Sequence, residues 1–148
     1  MSALLLAPTA REARAMGPAV VVCGAASLAR EIAGRLLDEL RPPAIVLAGV
    51  CGGLDPSLSP GDLVLARSVL LPGQPELVPA SPLLDTIRGA LRRSGWPFVT
   101  APLLSVERPL GSRSEKTKIW NATGAAGMDM ESYAIAAAAR DRGIPWIV

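Results

Sequence analysis

The chain has 148 residues, half of them hydrophobic and only 3% aromatic, with a net charge of +2. That length fits one domain with one sizeable core, the scarcity of rings argues against an aromatic nucleic-acid platform, and the scattered arginines form no basic patch for a polyanion. With no histidine, these residues exclude a Ser/His/Asp or Cys/His nucleophilic system and a His-based metal site.

The two cysteines, Cys23 and Cys51, sit in or beside apolar predicted strands without metal-ligand spacing, so both read as reduced core thiols and no metal is expected. The apolar start, Met1 to Pro8, has no basic region and no small-residue cleavage pattern, and no run reaches membrane-spanning length. The cytoplasm is the expected location.

In chain order, Ala3 to Ala7 and the Val-rich Ala19 to Cys23 are short apolar runs stopped by Pro8 and Gly24, which predicts buried strands. Ser27 then offers a helix N-cap. Leu28, Ile32, Leu36, Leu37 and Leu40 recur at helical spacing, Glu31 and Arg35 form an i,i+4 pair, and Pro42-Pro43 stops the helix. Ala44 to Ala48 is the next strand, running into Gly49-Val50-Cys51-Gly52-Gly53. A βαβ unit of this kind implies parallel strands. Asp55-Pro56 and Ser59-Pro60-Gly61-Asp62 are turn signals, followed by a strand over Leu63 to Leu71 interrupted at Arg67-Ser68.

Pro72 to Pro79 reads as a surface loop. Ser81-Pro82 supplies the N-cap and N1 of a second helix whose buried stripe is Leu83, Leu84, Ile87 and Leu91, with Gly95 at C′. Phe98 to Leu104 is a strand, a third helix spans Ser114 to Gly124, and a fourth runs from Ser132 to Gly143. Pro145 to Val148 begins another strand. The alternation predicts an α/β fold with a mostly parallel or mixed central sheet and helices on both faces. An apolar strand without a turn or polar tail after it leads us to expect that the domain continues beyond Val148.

Four strand exits carry candidate chemistry. Gly49 to Leu54 follows a strand at its carboxyl end, where open α/β sheets bind ligands, and its glycines allow close backbone approach or merely a turn. It lacks the GxGxxG spacing of a dinucleotide site. Asp129 and Glu131 are carboxylates in an apolar stretch. They suit a helix start, where the macrodipole favours acids by about 0.3–1 kcal/mol, which is the commoner reason for acids in that position; the other reading is a vicinal diol, whose two hydroxyl protons a carboxylate accepts. Thr9 to Arg14 sets Glu12 between two guanidiniums, as a solvated helix start or an anion site. Ser105 to Pro109 has the same ambiguity.

Taken together, these segments resemble the purine nucleoside phosphorylase and methylthioadenosine nucleosidase superfamily. Its Gly-x-x-Gly-Gly-Leu loop and Gly-Asp-hydrophobic strand are matched by Gly49 to Leu54 and Gly61-Asp62-Leu63-Val64. Its hydrophobic-acid-Met-Glu-Ser/Ala segment and Gly-hydrophobic-Pro turn are matched by Met128 to Ser132 and Gly143-Ile144-Pro145. Thr9 to Arg14, Ser105 to Pro109 and Thr123-Gly124-Ala125 look most like the hopanoid-associated phosphorylase branch.

The resemblance implies cleavage of the N-glycosidic bond of a purine nucleoside or a nucleoside-like substrate, with phosphate or water attacking an oxocarbenium-like sugar. Glu131 and Glu12 would be the catalytic carboxylates, the first accepting ribose hydroxyls and the second orienting the nucleophile or a ribose hydroxyl. Val50, Cys51, Gly52, Gly53, Met130 and Arg108 would bind substrate. Gly24, Arg11 and Arg14 would hold phosphate, a possible co-substrate, although the loop Gly24-Ala25-Ala26-Ser27 has fewer glycines than the phosphorylases usually show. No cofactor is implied. The partner would be a small nucleoside, not nucleic acid, and the assembly a homo-oligomer. The family's general acid lies in an Arg-x-hydrophobic-Ser-Asp segment just after the strand that begins at Pro145, outside these residues. The alternative expectation is therefore a nucleoside-binding fragment without turnover.

Overall fold

The computed structural model describes residues 3–24 and 28–148. Eight strands and five helices follow one another as β1 (Leu4–Ala7), α1 (Ala10–Met16), β2 (Val20–Val22), α2 (Ala29–Leu40), β3 (Ile45–Leu47), β4 (Gly52–Gly53), β5 (Leu63–Leu70), α3 (Ser81–Ser94), β6 (Phe98–Ser105), α4 (Arg113–Thr123), β7 (Gly127–Asp129), α5 (Ser132–Arg140) and β8 (Trp146–Ile147). The β-strands form two four-stranded sheets, ordered β2-β1-β3-β8 and β4-β7-β6-β5. Every pairing is parallel except the short β4–β7 contact. A bond from Ala66 N to Val148 O at 2.8 Å joins the two sheets. The expected α/β class with a mixed, mostly parallel sheet and flanking helices is what the chain adopts, with the sheet divided in two.

Parallel strands buried by helices need continuous apolar runs, which β1, β2 and β3 supply in Leu4-Leu5-Leu6, Val20-Val21-Val22 and Ile45-Val46-Leu47. The polar interruption at Arg67-Ser68 is a bulge within β5: the register shifts between Ala66 and Ser68 opposite Pro102 of β6. Proline has no N–H for the ladder, so a strand facing it in mid-sheet must break step.

The main core joins Leu6, Leu37, Ile45, Val69, Ile135 and Trp146 with the alanines of α5. The alanines let α5 pack closely on β5, β6, β8 and α2. Arg142 fastens the α2 side, donating to both carboxylate oxygens of Asp38 at 2.7 Å.

Several expectations are corrected in detail. The buried stripe of α2 is Ala29, Ala33, Gly34 and Leu37, whereas Leu28 is 56% exposed and Leu40 is also exposed; small residues face α5 because α5 comes close. Ser27 lies outside the described residues. The stripe of α3 is half-buried, with no residue of that helix fully covered, because α3 packs chiefly against the two-residue β8. Its N-cap is Ala80, one residue early. Helix α4 starts at Ser112, whose hydroxyl and Glu115 form a capping box. Cys51 is exposed, not a core thiol. The short strands β4 and β7 are not expected from the sequence, whereas the helix start read in Thr9 to Arg14 is α1.

Candidate active site

All strands of the first sheet run the same way, so Pro8 to Glu12, Cys23-Gly24, Ala48 to Cys51 and Val148 collect at its carboxyl edge. In the second sheet, β6 and β7 run parallel and deliver Ser105 to Glu107 and Asp129 to Glu131. The strand exits singled out in the sequence therefore sit at the carboxyl ends, where α/β sheets hold ligands.

Glu12 is the N3 residue of α1. Its Oε2 accepts from Thr9 N at 2.9 Å and from the Thr9 hydroxyl, while Glu12 N donates to Thr9 Oγ1, which completes a capping box. The other oxygen, Oε1, reaches across and accepts from Val50 N at 2.9 Å. Gly49 makes this possible: a Cβ there would stand 2.8 Å from Glu12 Oε1 and 3.2 Å from Pro8 Cδ. The same carboxylate thus caps a helix and pins the glycine loop. Val50 is left 80% exposed.

Asp129 and Glu131 divide their labour. Asp129 Oδ1 accepts from Ser105 Oγ at 2.8 Å, and both its oxygens accept from Ser132 N, with Oδ2 also taking the Ser132 hydroxyl. Ser105 Oγ in turn accepts from Tyr133 N at 2.8 Å. Burial pushes the Asp129 pKa up, against the lowering effect of the Ser132 and Ser105 bonds. Asp129 is therefore bound up in starting α5. Glu131 is the N-cap residue of α5 and only 9% exposed; its Oε2 accepts from Met130 N at 3.2 Å.

Cys23 is fully buried just after β2. Its thiol donates to Ala7 O at 3.3 Å. Its pKa is pushed up to about 11, by burial first and then by the charges of Glu131 and Glu12. Cys23 sits immediately before Gly24, at the carboxyl edge of the first sheet. Gly24 has φ +80, and a Cβ there would stand 2.7 Å from Ile32 Cδ1, so packing alone accounts for its being glycine.

The candidate substrate residues separate over three cavities. Val50, Cys51, Asp129 and Ser132 line one of about 390 Å³ with Pro8 and Val148. Met130 lines a second of about 640 Å³, with Arg30, Gln74, Ser105, Val106, Glu107 and Tyr133. Gly53 and Cys51 border a third, of about 480 Å³, with Asp55, Asp62, Arg113 and Lys116. Gly52 and Gly53 pair with Met128 and Gly127 as β4, and a Cβ on Gly52 would meet Met128 Cε at 3.0 Å.

Arg11 and Arg14 are exposed on α1, and none of these three cavities includes them. Arg108 is exposed as well, and its guanidinium acts on Glu115 of α4. Sequence reasoning missed Arg30 and Glu107 as wall residues. Arg30 carried no signal beyond a helical surface position, while Glu107 stood in a flagged strand exit beside the more conspicuous Arg108. Among the described residues no cluster of His, Cys, Asp or Glu fits a metal ion, and no helix is long and apolar enough to cross a membrane.

With this geometry in hand, the sequence model of the phosphorylase superfamily matches residues 15–148. The chain belongs to the phosphorylase superfamily. No curated protein matches it. Among solved structures, a futalosine hydrolase mutant of Helicobacter pylori strain 26695 is similar at TM-score 0.80 and 14% identity, over 87% of this chain and 67% of that one. The 5'-methylthioadenosine/S-adenosyl homocysteine nucleosidase of Campylobacter jejuni is similar at TM-score 0.87 and 13% identity, over 99% and 82%. The Helicobacter pylori MTAN-D198N mutant with 5'-methylthioadenosine in the active site gives TM-score 0.88 and 12% identity, over 100% and 84%. At such identities the likeness is one of fold. The chain spans about two thirds of the length of the futalosine hydrolase.

Proposed function

We propose that this superfamily member cleaves the N-glycosidic bond of a purine nucleoside or a close analogue, as part of a homo-oligomer. The observation that carries the reading is the position of Glu12 and Glu131 at carboxyl-end strand exits, with Glu12 Oε1 accepting from Val50 N of the glycine loop and Glu131 buried at the start of α5. Glu131, buried at the start of α5 next to Met130, would accept ribose hydroxyls and stabilise positive charge developing on the sugar. Glu12, at the carboxyl edge of the first sheet, would orient the nucleophile. The solved structures of like fold include nucleosidases, one of them holding 5'-methylthioadenosine in its active site, which supports a nucleoside as the ligand class. Arg11 and Arg14 on α1 are the proposed holders of phosphate where phosphate is the nucleophile, since guanidinium matches its oxygens bidentately.

The test is release of free base from adenosine, inosine and methylthioadenosine, each with and without phosphate, alongside Glu131→Gln. Phosphate-dependent release identifies phosphorolysis, and phosphate-independent release hydrolysis. In either case Glu131→Gln should lower the rate by about 10²- to 10³-fold. Tight nucleoside binding without release of base would favour the binding role, and neither binding nor release would overturn the proposal.

A further inference from the structure

The cavity beside Met130 has a feature that sugar binding leaves unexplained. Its walls are apolar at Leu71, Val106 and Tyr133, yet two opposite charges, Arg30 and Glu107, stand on its lining. Of the neutral polar groups there, the Ser105 and Tyr133 hydroxyls are already engaged, and Gln74 adds a side-chain amide to the lining. Ser105 Oγ donates to Asp129 and accepts from Tyr133 N, and the Tyr133 hydroxyl donates to Pro75 O at 2.8 Å. Arg30 is held by Asp141 at 3.1 Å, which uses one arm of a guanidinium with five donors. Among the described residues, no ion pair engages Glu107.

We infer that Glu107 is a specificity-determining residue of this cavity: its carboxylate selects bases whose edge carries an N–H donor, with Arg30 serving an acceptor on the same ligand. This rests on the nucleoside reading above. A carboxylate offers only acceptors and a guanidinium only donors, so together they complement a heterocycle that presents both kinds of group, as the 6-amino and 6-oxo purines do. The apolar walls at Leu71, Val106 and Tyr133 suit the faces of such a ring, and a base without an edge donor leaves Glu107 unpaired. A site built to hydrogen-bond an N–H discriminates strongly against an analogue that lacks it.

The experiment measures equilibrium binding of adenosine, inosine and unsubstituted purine riboside to the full chain and to Glu107→Ala, Glu107→Gln and Arg30→Met. The wild-type protein should bind adenosine or inosine about 10- to 100-fold more tightly than purine riboside, the scale of one charge-assisted hydrogen bond. Glu107→Ala should bring the ligands to parity, Glu107→Gln should restore part of the preference, and Arg30→Met should weaken the ligands that present an acceptor. Glu107 is exposed, so an unchanged melting temperature verifies that its variants fold. Wild-type binding of all three with no preference, or a preference that survives Glu107→Ala, overturns the inference while leaving the nucleoside reading intact. Failure of the wild-type protein to bind any of the three removes the nucleoside reading itself.

Discussion

Glu12 Oε1 accepts a hydrogen bond from Val50 N at 2.9 Å, while its Oε2 closes the capping box on Thr9. Helix α1 and the glycine loop after β3 are thereby tied through one carboxylate. Glu12→Ala should speed amide hydrogen exchange at Val50, and Thr9→Ala should cost about 1 kcal/mol by loss of the cap. Gly49→Ala should release the loop even with Glu12 present, because its Cβ would lie 2.8 Å from Glu12 Oε1. Unchanged Val50 exchange in both Glu12→Ala and Gly49→Ala would show that the loop is held by something else.

Asp129 governs the start of α5. Replacing it with Ala leaves the Ser132 N–H and the Ser105 hydroxyl without their acceptor and should cost about 2–3 kcal/mol in denaturant unfolding. Its titration supplies a separate check. The folded pKa is raised above the ordinary value of 3.8, so the folded state binds the proton more tightly than the unfolded chain. The resulting stability is fully present below that ordinary value and is lost as pH rises through the raised one. Wild-type protein should thus lose stability relative to Asp129→Asn as pH climbs through the acid range. Parallel curves would contradict the assignment.

The same linkage acts on Cys23 at alkaline pH. Its thiol moves from 9.0 to about 11 on folding, so its contribution is intact below pH 9 and lost between there and the folded value. Over that window wild-type protein should lose about 1.4 kcal/mol per pH unit relative to Cys23→Ala. At neutral pH, Cys51, which is exposed, should react with a thiol reagent well before the buried Cys23.

Most elements were legible in the sequence because their signals are local. Short apolar runs gave β1 to β3, and turn residues marked the Asp55 and Asp62 loops, where Ser57 N and Ser59 N do bond those carboxylates. Helix α1 was readable only as a helix start in Thr9 to Arg14, because its seven residues are too short to show periodicity. Strand β7 was hidden because Gly127-Met128-Asp129 has no alternation and is strand only through its neighbours β6 and β4. At the site, the positions of Glu12 and Glu131 followed from strand order. The engagement of Asp129 by Ser105, 24 residues away, and the outward turn of Arg108 depend on tertiary packing and left no pattern to read.

Ser68 tests the bulge in β5. It is 1% exposed, sits opposite Pro102, and its hydroxyl has no hydrogen-bond partner among the described residues. A buried hydroxyl without a partner carries a desolvation penalty of about 1–3 kcal/mol. Ser68→Ala should therefore be neutral or raise stability by up to about 1 kcal/mol, the gain reduced by the small void left behind. Clear destabilisation would mean that the hydroxyl is satisfied by an ordered water in the bulge.

Gly127 and Cys51 should be coupled in stability. A Cβ on Gly127 would come within 2.7 Å of Cys51 Sγ, while its next neighbours, Leu103 Cδ1 at 3.3 Å and Gly52 O at 3.4 Å, are tight but tolerable. Gly127→Ala should destabilise by about 1–3 kcal/mol through overpacking. Cys51→Ala removes the sulfur and should recover much of that loss in the double variant, because residues in contact depart from additivity. The double-mutant cycle in denaturant unfolding measures this interaction directly. A coupling near zero would place the strain of Gly127→Ala in the β4–β7 backbone pairing instead, and Met128 with its contact to Gly52 would become the next position to vary.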